Sequence, residues 1–72
     1  MNKIPELIEK RGWSKKEFIA HCALAGMSMS TAYRIARGDL NVKFTSLLTA
    51  AKVLEIDIED LALLFHQMKK EL

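Results

Sequence analysis

The chain has 72 residues, half of them hydrophobic and 28% charged, which is enough for one small globular domain and too little for a two-domain enzyme. A single cysteine excludes an internal disulfide framework and fits a reducing compartment. The net charge is only +2, but it is unevenly placed: residues 10–52 hold eight bases and two acids, residues 55–72 two bases and five acids. The middle of the chain is therefore the part suited to meet an anion.

The apolar spacing predicts five short helices and no strands. In the first, over about residues 3–11, Ile4, Leu7 and Ile8 share a face, Pro5 suits the opening turn and Gly12 the C-terminal cap. Ser14-Lys15-Lys16-Glu17 has the form of a capping box, so a second helix starts there and buries Phe18, Ile19 and Cys22. Ala20 to Ala25 contains helix formers and no breaker before Gly26, so this helix should run to about Ala23 or Leu24. Ser28 caps the third helix and Gly38 ends it. At about 100° per residue, Ala32, Ile35 and Ala36 face inward, while Ser30, Tyr33, Arg34 and Arg37 face outward with Met29 at their edge. A fourth helix covers about Phe44 to Leu54, with Phe44, Leu47, Leu48, Ala51 and Leu54 on its apolar side. Asp57 caps the fifth, and Glu59 and Asp60 suit its positive end. Leu61, Leu64, Phe65, Met68 and Leu72 then form one stripe.

The outward face of the third helix is polar and basic and carries no acid. A helix needing only solubility would carry mixed Glu and Lys pairs. Helix, turn, helix over Ser14 to Gly38, with bases on the second helix, fits a B-DNA major groove. The N-terminus of the second helix, with Lys15 beside free amides, suits a phosphate.

Those residues also carry a family likeness. Ser14-x-x-Glu17-Phe18 opens it; Ser28-x-x-Thr31-Ala32-x-x-Ile35-x-Arg37-Gly38 follows, then Asn41 and Phe44. Leu47-Leu48-x-x-Ala51-x-x-Leu54 and Ile56-Asp57-x-x-Asp60-Leu61 complete it. Together, over about residues 4–63, they resemble the phage-repressor or Cro-type helix-turn-helix family, also called XRE-type. The resemblance implies an all-α, lambda-repressor-like bundle with the helix-turn-helix in helices two and three. It implies base reading by Met29, Ser30 and Arg34, with Tyr33 as a further candidate, and phosphate contacts at Lys15, Arg37 and Lys43. Arg34 is the best base reader, since a guanidinium can donate twice to guanine. Met29 either packs on a thymine methyl or staples to the core. Three departures stand out. Ser14 and Ser28 lie fourteen positions apart, about three more than the family spacing, Val42 replaces a common Pro, and Ala36 replaces a common Glu.

Other candidates read as structural. Cys22 and His21 point about 100° apart on a helix and lack an orienting third group, so Cys22 is expected to be a core hydrophobe. His21, Cys22 and His66 lack zinc spacing. Trp13 reads as a core plug. Residues 1–72 are accordingly expected to form a single DNA-binding domain of a small bacterial or phage regulator, not an enzyme, with no cofactor, metal or small-molecule effector. Repression by occupying an operator is the default reading. The rival is a protein-interaction module, antitoxin-like or regulating another factor. Met1 to Pro5 lacks a signal-peptide block and no run suits a membrane span, so a cytoplasmic protein is expected. The end of helix five, about residues 61–72, is expected to form a homodimer. Phe65, Met68 and Leu72 extend past what four short helices can cover, and pairing through them sets two recognition helices roughly 34–36 Å apart on a palindromic operator.

Overall fold

The computed structural model describes residues 3–39 and 41–70. Five helices follow one another: α1 (Ile4–Lys10), α2 (Lys15–Leu24), α3 (Met29–Ala36), α4 (Phe44–Leu54) and α5 (Ile58–Lys70). No strand occurs among the described residues.

Local chemistry sets the helix ends. Pro5 lies in the first turn of α1, where its missing N–H costs nothing. Beyond α1, the Trp13 amide donates back to the Ile8 carbonyl at 3.2 Å, closing the helix end. The capping box of α2 is complete: Glu17 N–H donates to Ser14 Oγ at 3.2 Å and Ser14 N–H donates to Glu17 Oε1 at 2.9 Å. The donation from the Ser14 amide, helped by the Ser14 side chain, holds the Glu17 carboxyl below the usual range. α2 continues to Leu24, as its run of helix formers predicts. The additional residues therefore lengthen the helix and leave the turn short. Gly26 at φ +98° reverses the chain in a conformation that L side chains rarely adopt. The Met27 amide then returns to the Cys22 carbonyl at 3.0 Å.

The core gathers one face from each helix. Ile4 and Ile8, Phe18 and Cys22, Ala32, Ile35 and Ala36 are buried, joined by Leu47, Ala51 and Leu54. Two of the three buried α3 residues are alanines, which lets α2 and α3 pack closely. Met27, just before the Ser28 cap, is buried in the same cluster as Ala32 at the fourth helical position. It occupies the hydrophobic-staple position. α4 ends at Glu55, a non-glycine residue at φ +56°, whose carboxylate pairs with Arg11 at 2.7 Å. That ion pair joins the ends of α1 and α4.

Two sequence expectations are corrected. Phe65 and Met68 do not extend past the bundle: they are only 7% and 6% exposed and belong to the core cluster with Leu61. From Leu61 to Met68 the stripe packs into the core of the chain; Leu63, off the stripe, is left 55% exposed. Leu72, the third expected pairing residue, falls outside the described residues. Phe44 is 59% exposed. It starts α4, and the buried stripe of that helix begins one turn later at Leu47.

Candidate nucleic-acid interface

α3 begins at a cap made by a hydroxyl. Ser28 Oγ accepts from the Thr31 amide at 3.2 Å and donates to Thr31 Oγ1 at 2.8 Å. No acid sits in the first turn of α3, so its positive end keeps its field. Met29 and Ser30 open the helix in solvent. Met29 is 66% exposed, so it is not stapled to the core; Met27 fills that position.

One turn further, the outward residues divide into two strips. Met29, Tyr33 and Arg37 are spaced by four along the first, Ser30 and Arg34 along the second. Along the first strip, the Tyr33 ring collects cations. Lys15 Nζ, from the start of α2, lies 4.6 Å from the ring centroid, and the Arg37 guanidinium carbon lies 5.5 Å from it. Three of the sequence-predicted residues are thereby brought together. Neither Lys15 nor Arg37 forms an ion pair among the described residues, so their charge is not cancelled at contact distance. Glu9 lines with Lys15, Arg37 and Trp13 a recess between α1 and α3.

Along the second strip, Arg34 turns toward the loop that follows α3. Its Nε–H donates to Asp39 Oδ2 at 3.0 Å, and Nη2 donates to the Asn41 carbonyl. The other carboxylate oxygen of Asp39 accepts from the Asn41 amide at 2.9 Å. The Asp39 carboxyl is held below its usual range, first by the Asn41 backbone donor and then by Arg34. Lys43 shares a groove with Arg34, lined also by Thr31, Asn41, Thr45 and Ser46. It stands at the N-cap of α4 and offers no side-chain cap. In place of a side-chain cap, the Ser46 amide donates to the Lys43 carbonyl at 3.0 Å, where in α2 the Ser14 hydroxyl takes the Glu17 amide.

Sequence reasoning missed Asp39 and Asn41 as partners of Arg34, and the hydroxyls of Thr45 and Ser46 beside them. Their signal was weak: an acid after the helix-ending glycine reads as an ordinary turn residue. Lys43 lies near Arg34 and apart from the Lys15–Tyr33–Arg37 group, so the predicted phosphate anchors occupy two places.

Cys22 is fully buried, and burial pushes its thiol up to about 11, so it stays protonated and unreactive near neutral pH. His21 turns outward and stacks on Trp13 with ring centroids 4.1 Å apart. Trp13 packs partly against the core, and Arg11 lies 4.6 Å over its ring. Among the described residues no cluster of His, Cys, Asp and Glu could hold a metal ion, and no helix is long and apolar enough to cross a membrane.

A family model described as a Cro/C1-type HTH DNA-binding domain matches residues 3–64. Comparison with curated proteins and with solved structures found no match.

Proposed function

Since the chain belongs to the Cro/C1-type helix-turn-helix DNA-binding family, we propose that it is a small transcription regulator that reads an operator with α3 and represses by occupying it. The observation that carries this reading is the solvent face of α3: Ser30, Tyr33 and Arg34, with Arg37 at the C-cap, on a helix that holds no acid. A helix of this width enters a major groove, and its outward residues then meet base edges and flanking phosphates.

The roles follow from how each side chain is held. Met29 and Ser30 stand at the exposed start of α3, where recognition helices of this kind approach the bases. Met29 suits a thymine methyl and Ser30 a single polar base edge. Arg34 reads a guanine. Lys15 and Arg37, seated on Tyr33, bind phosphates on one flank, and Lys43 with the start of α4 binds them on the other. Tyr33 serves this reading as the seat of two anchors and contributes no base contact of its own.

One α3 reaches only a few base pairs, so two copies on a palindromic site are needed for an operator to stand out among competing sequences. We assign the pairing to the C-terminal end of α5. Phe65 and Met68 support that surface from within, and the exposed Leu63 is available for contact.

The test is selection of the full chain on a randomised duplex library, followed by mobility shifts at two salt concentrations and ultracentrifugation of the complex. Enrichment of a palindrome bound by two copies is the expected result, with Arg34→Ala losing about 1–3 kcal/mol per half-site. Absence of binding to any duplex at low salt contradicts the reading and favours a protein partner.

A further inference from the structure

We propose that Asp39 is a positioning residue for base reading: with Asn41 it holds one edge of the Arg34 guanidinium and aims the other edge out of the protein. The inference rests on the reading of Arg34 as the guanine reader.

A guanidinium has five N–H groups in a fixed plane. Here the edge formed by Nε and Nη2 is taken by two acceptors, Asp39 Oδ2 at 3.0 Å and the Asn41 carbonyl. The edge formed by Nη1 and Nη2 keeps one parallel N–H on each nitrogen. No other described residue hydrogen-bonds the guanidinium. Two parallel donors on one edge are the fork that matches O6 and N7 of guanine in the major groove.

The holder is itself held. Asp39 Oδ1 accepts from the Asn41 amide at 2.9 Å, so the same carboxylate closes the loop that supplies the second acceptor. Gly38 and Asp39 continue the chain from α3, and the Asp39 amide donates to the Arg34 carbonyl at 2.9 Å. The loop is thus referenced to the backbone of the very residue it orients. A long flexible side chain otherwise loses rotamer freedom on docking. Here much of that ordering is complete before DNA arrives.

Charge points the same way. Asp39 sits beside Arg34 and offsets its cation, which weakens a general attraction to phosphate. A fixed fork still discriminates guanine from other bases. The pairing therefore favours specificity over raw affinity, in contrast with Lys15 and Arg37, neither of which is ion-paired among the described residues.

The experiment uses the full chain on the duplex it selects and on every single-base variant of that duplex, at one salt concentration. Wild type, Arg34→Ala, Asp39→Ala, Asp39→Asn and the double variant Arg34→Ala/Asp39→Ala are compared, with thermal melting of each. Arg34→Ala should flatten discrimination at one G·C pair by roughly 5- to 150-fold. Asp39→Ala and Asp39→Asn should lose at least about a third of that effect on a logarithmic scale, at the same pair and no other. The double variant should be no flatter than Arg34→Ala alone, because Asp39 acts only through Arg34. Asp39→Asn keeps the side-chain shape and an acceptor for the Asn41 amide, so it separates orientation of Arg34 from loop folding. Equal losses for every duplex would show a merely structural loop and overturn the proposal. Sharper discrimination in the Asp39 variants would make the contact a restraint and overturn it too. If Arg34→Ala flattens one pair and the Asp39 variants leave it intact, the inference fails while the DNA-reading function stands. If wild type binds no duplex, both fall.

Discussion

Along the Met29–Tyr33–Arg37 strip of α3, cations rest over an aromatic ring; along the Ser30–Arg34 strip, a cation is bonded edge-on to a carboxylate and a carbonyl. A ring draws a cation near through its quadrupole and leaves the ionic charge uncancelled. A carboxylate offsets that charge but fixes its direction. The first arrangement suits a partner that needs charge and little direction, such as a phosphate. The second suits a partner that needs direction, such as the edge of a base. Two neighbouring strips of one eight-residue helix thus divide affinity from specificity.

The change with the largest expected effect removes the platform on which both strips stand. Gly26→Val places a β-branched residue at φ +98° in the turn joining α2 to α3. An added Cβ would meet nothing within 4 Å, so the cost is backbone strain, about 1–3 kcal/mol. Urea unfolding should show that loss, and duplex binding should fall for all sequences as the folded fraction drops. An unchanged midpoint would mean that the turn tolerates another backbone conformation.

Lys15→Ala isolates the first strip. Its affinity for specific and non-specific duplexes should fall together. The slope of log K against log salt should lessen by about one for each phosphate that Lys15 neutralises, counted once per subunit. Base preferences measured on a duplex panel should stay as in wild type.

Tyr33→Leu sharpens the same point with a smaller effect. It keeps an apolar side chain and removes the quadrupole beneath Lys15 and Arg37. The expected loss is about 0.5–1 kcal/mol for each exposed cation–ring pair, spread evenly over all duplexes. Loss confined to one base pair would instead make Tyr33 a reader.

Acid should test the second strip, with an effect only at low pH. The Asp39 carboxyl is held below its ordinary value by the Asn41 amide and Arg34, with a further contribution from Arg37. Its stabilising contribution is therefore present above the ordinary carboxylate range and lost as pH falls through the lowered value. The Arg34 Nε–H resonance, followed by NMR, should hold its bonded position through the usual carboxylate range and shift only below it.

Much of this arrangement was legible in residue types. The Ser14–Glu17 box, the Ser28 cap and the unbroken Ala20–Ala25 run located α2 and α3 because each depends on neighbours within four positions. The inward face of α3 followed from its period alone. The fate of Phe65 and Met68 did not, because periodicity shows which residues share a stripe but not how much of it a neighbouring helix can cover. The core cluster takes in both. Met29 could take either the core or the solvent by residue type alone; Met27 fills the staple position and leaves Met29 outside. The partners of Arg34 were illegible for a related reason: Asp39 and Asn41 reach it only after the chain has left α3 and turned, and no helical period relates a loop residue to a helix face.

The central claim, that α3 separates affinity from specificity, is tested most directly by a salt titration. Binding of wild type, Arg37→Ala and Arg34→Ala would be measured on the selected duplex and on its variant at the base pair assigned to Arg34. Arg37→Ala should show a shallower slope and an unchanged ratio between the two duplexes. Arg34→Ala should keep close to the wild-type slope while the ratio collapses toward one. If both variants change slope and ratio alike, the two strips do the same work and the division is wrong.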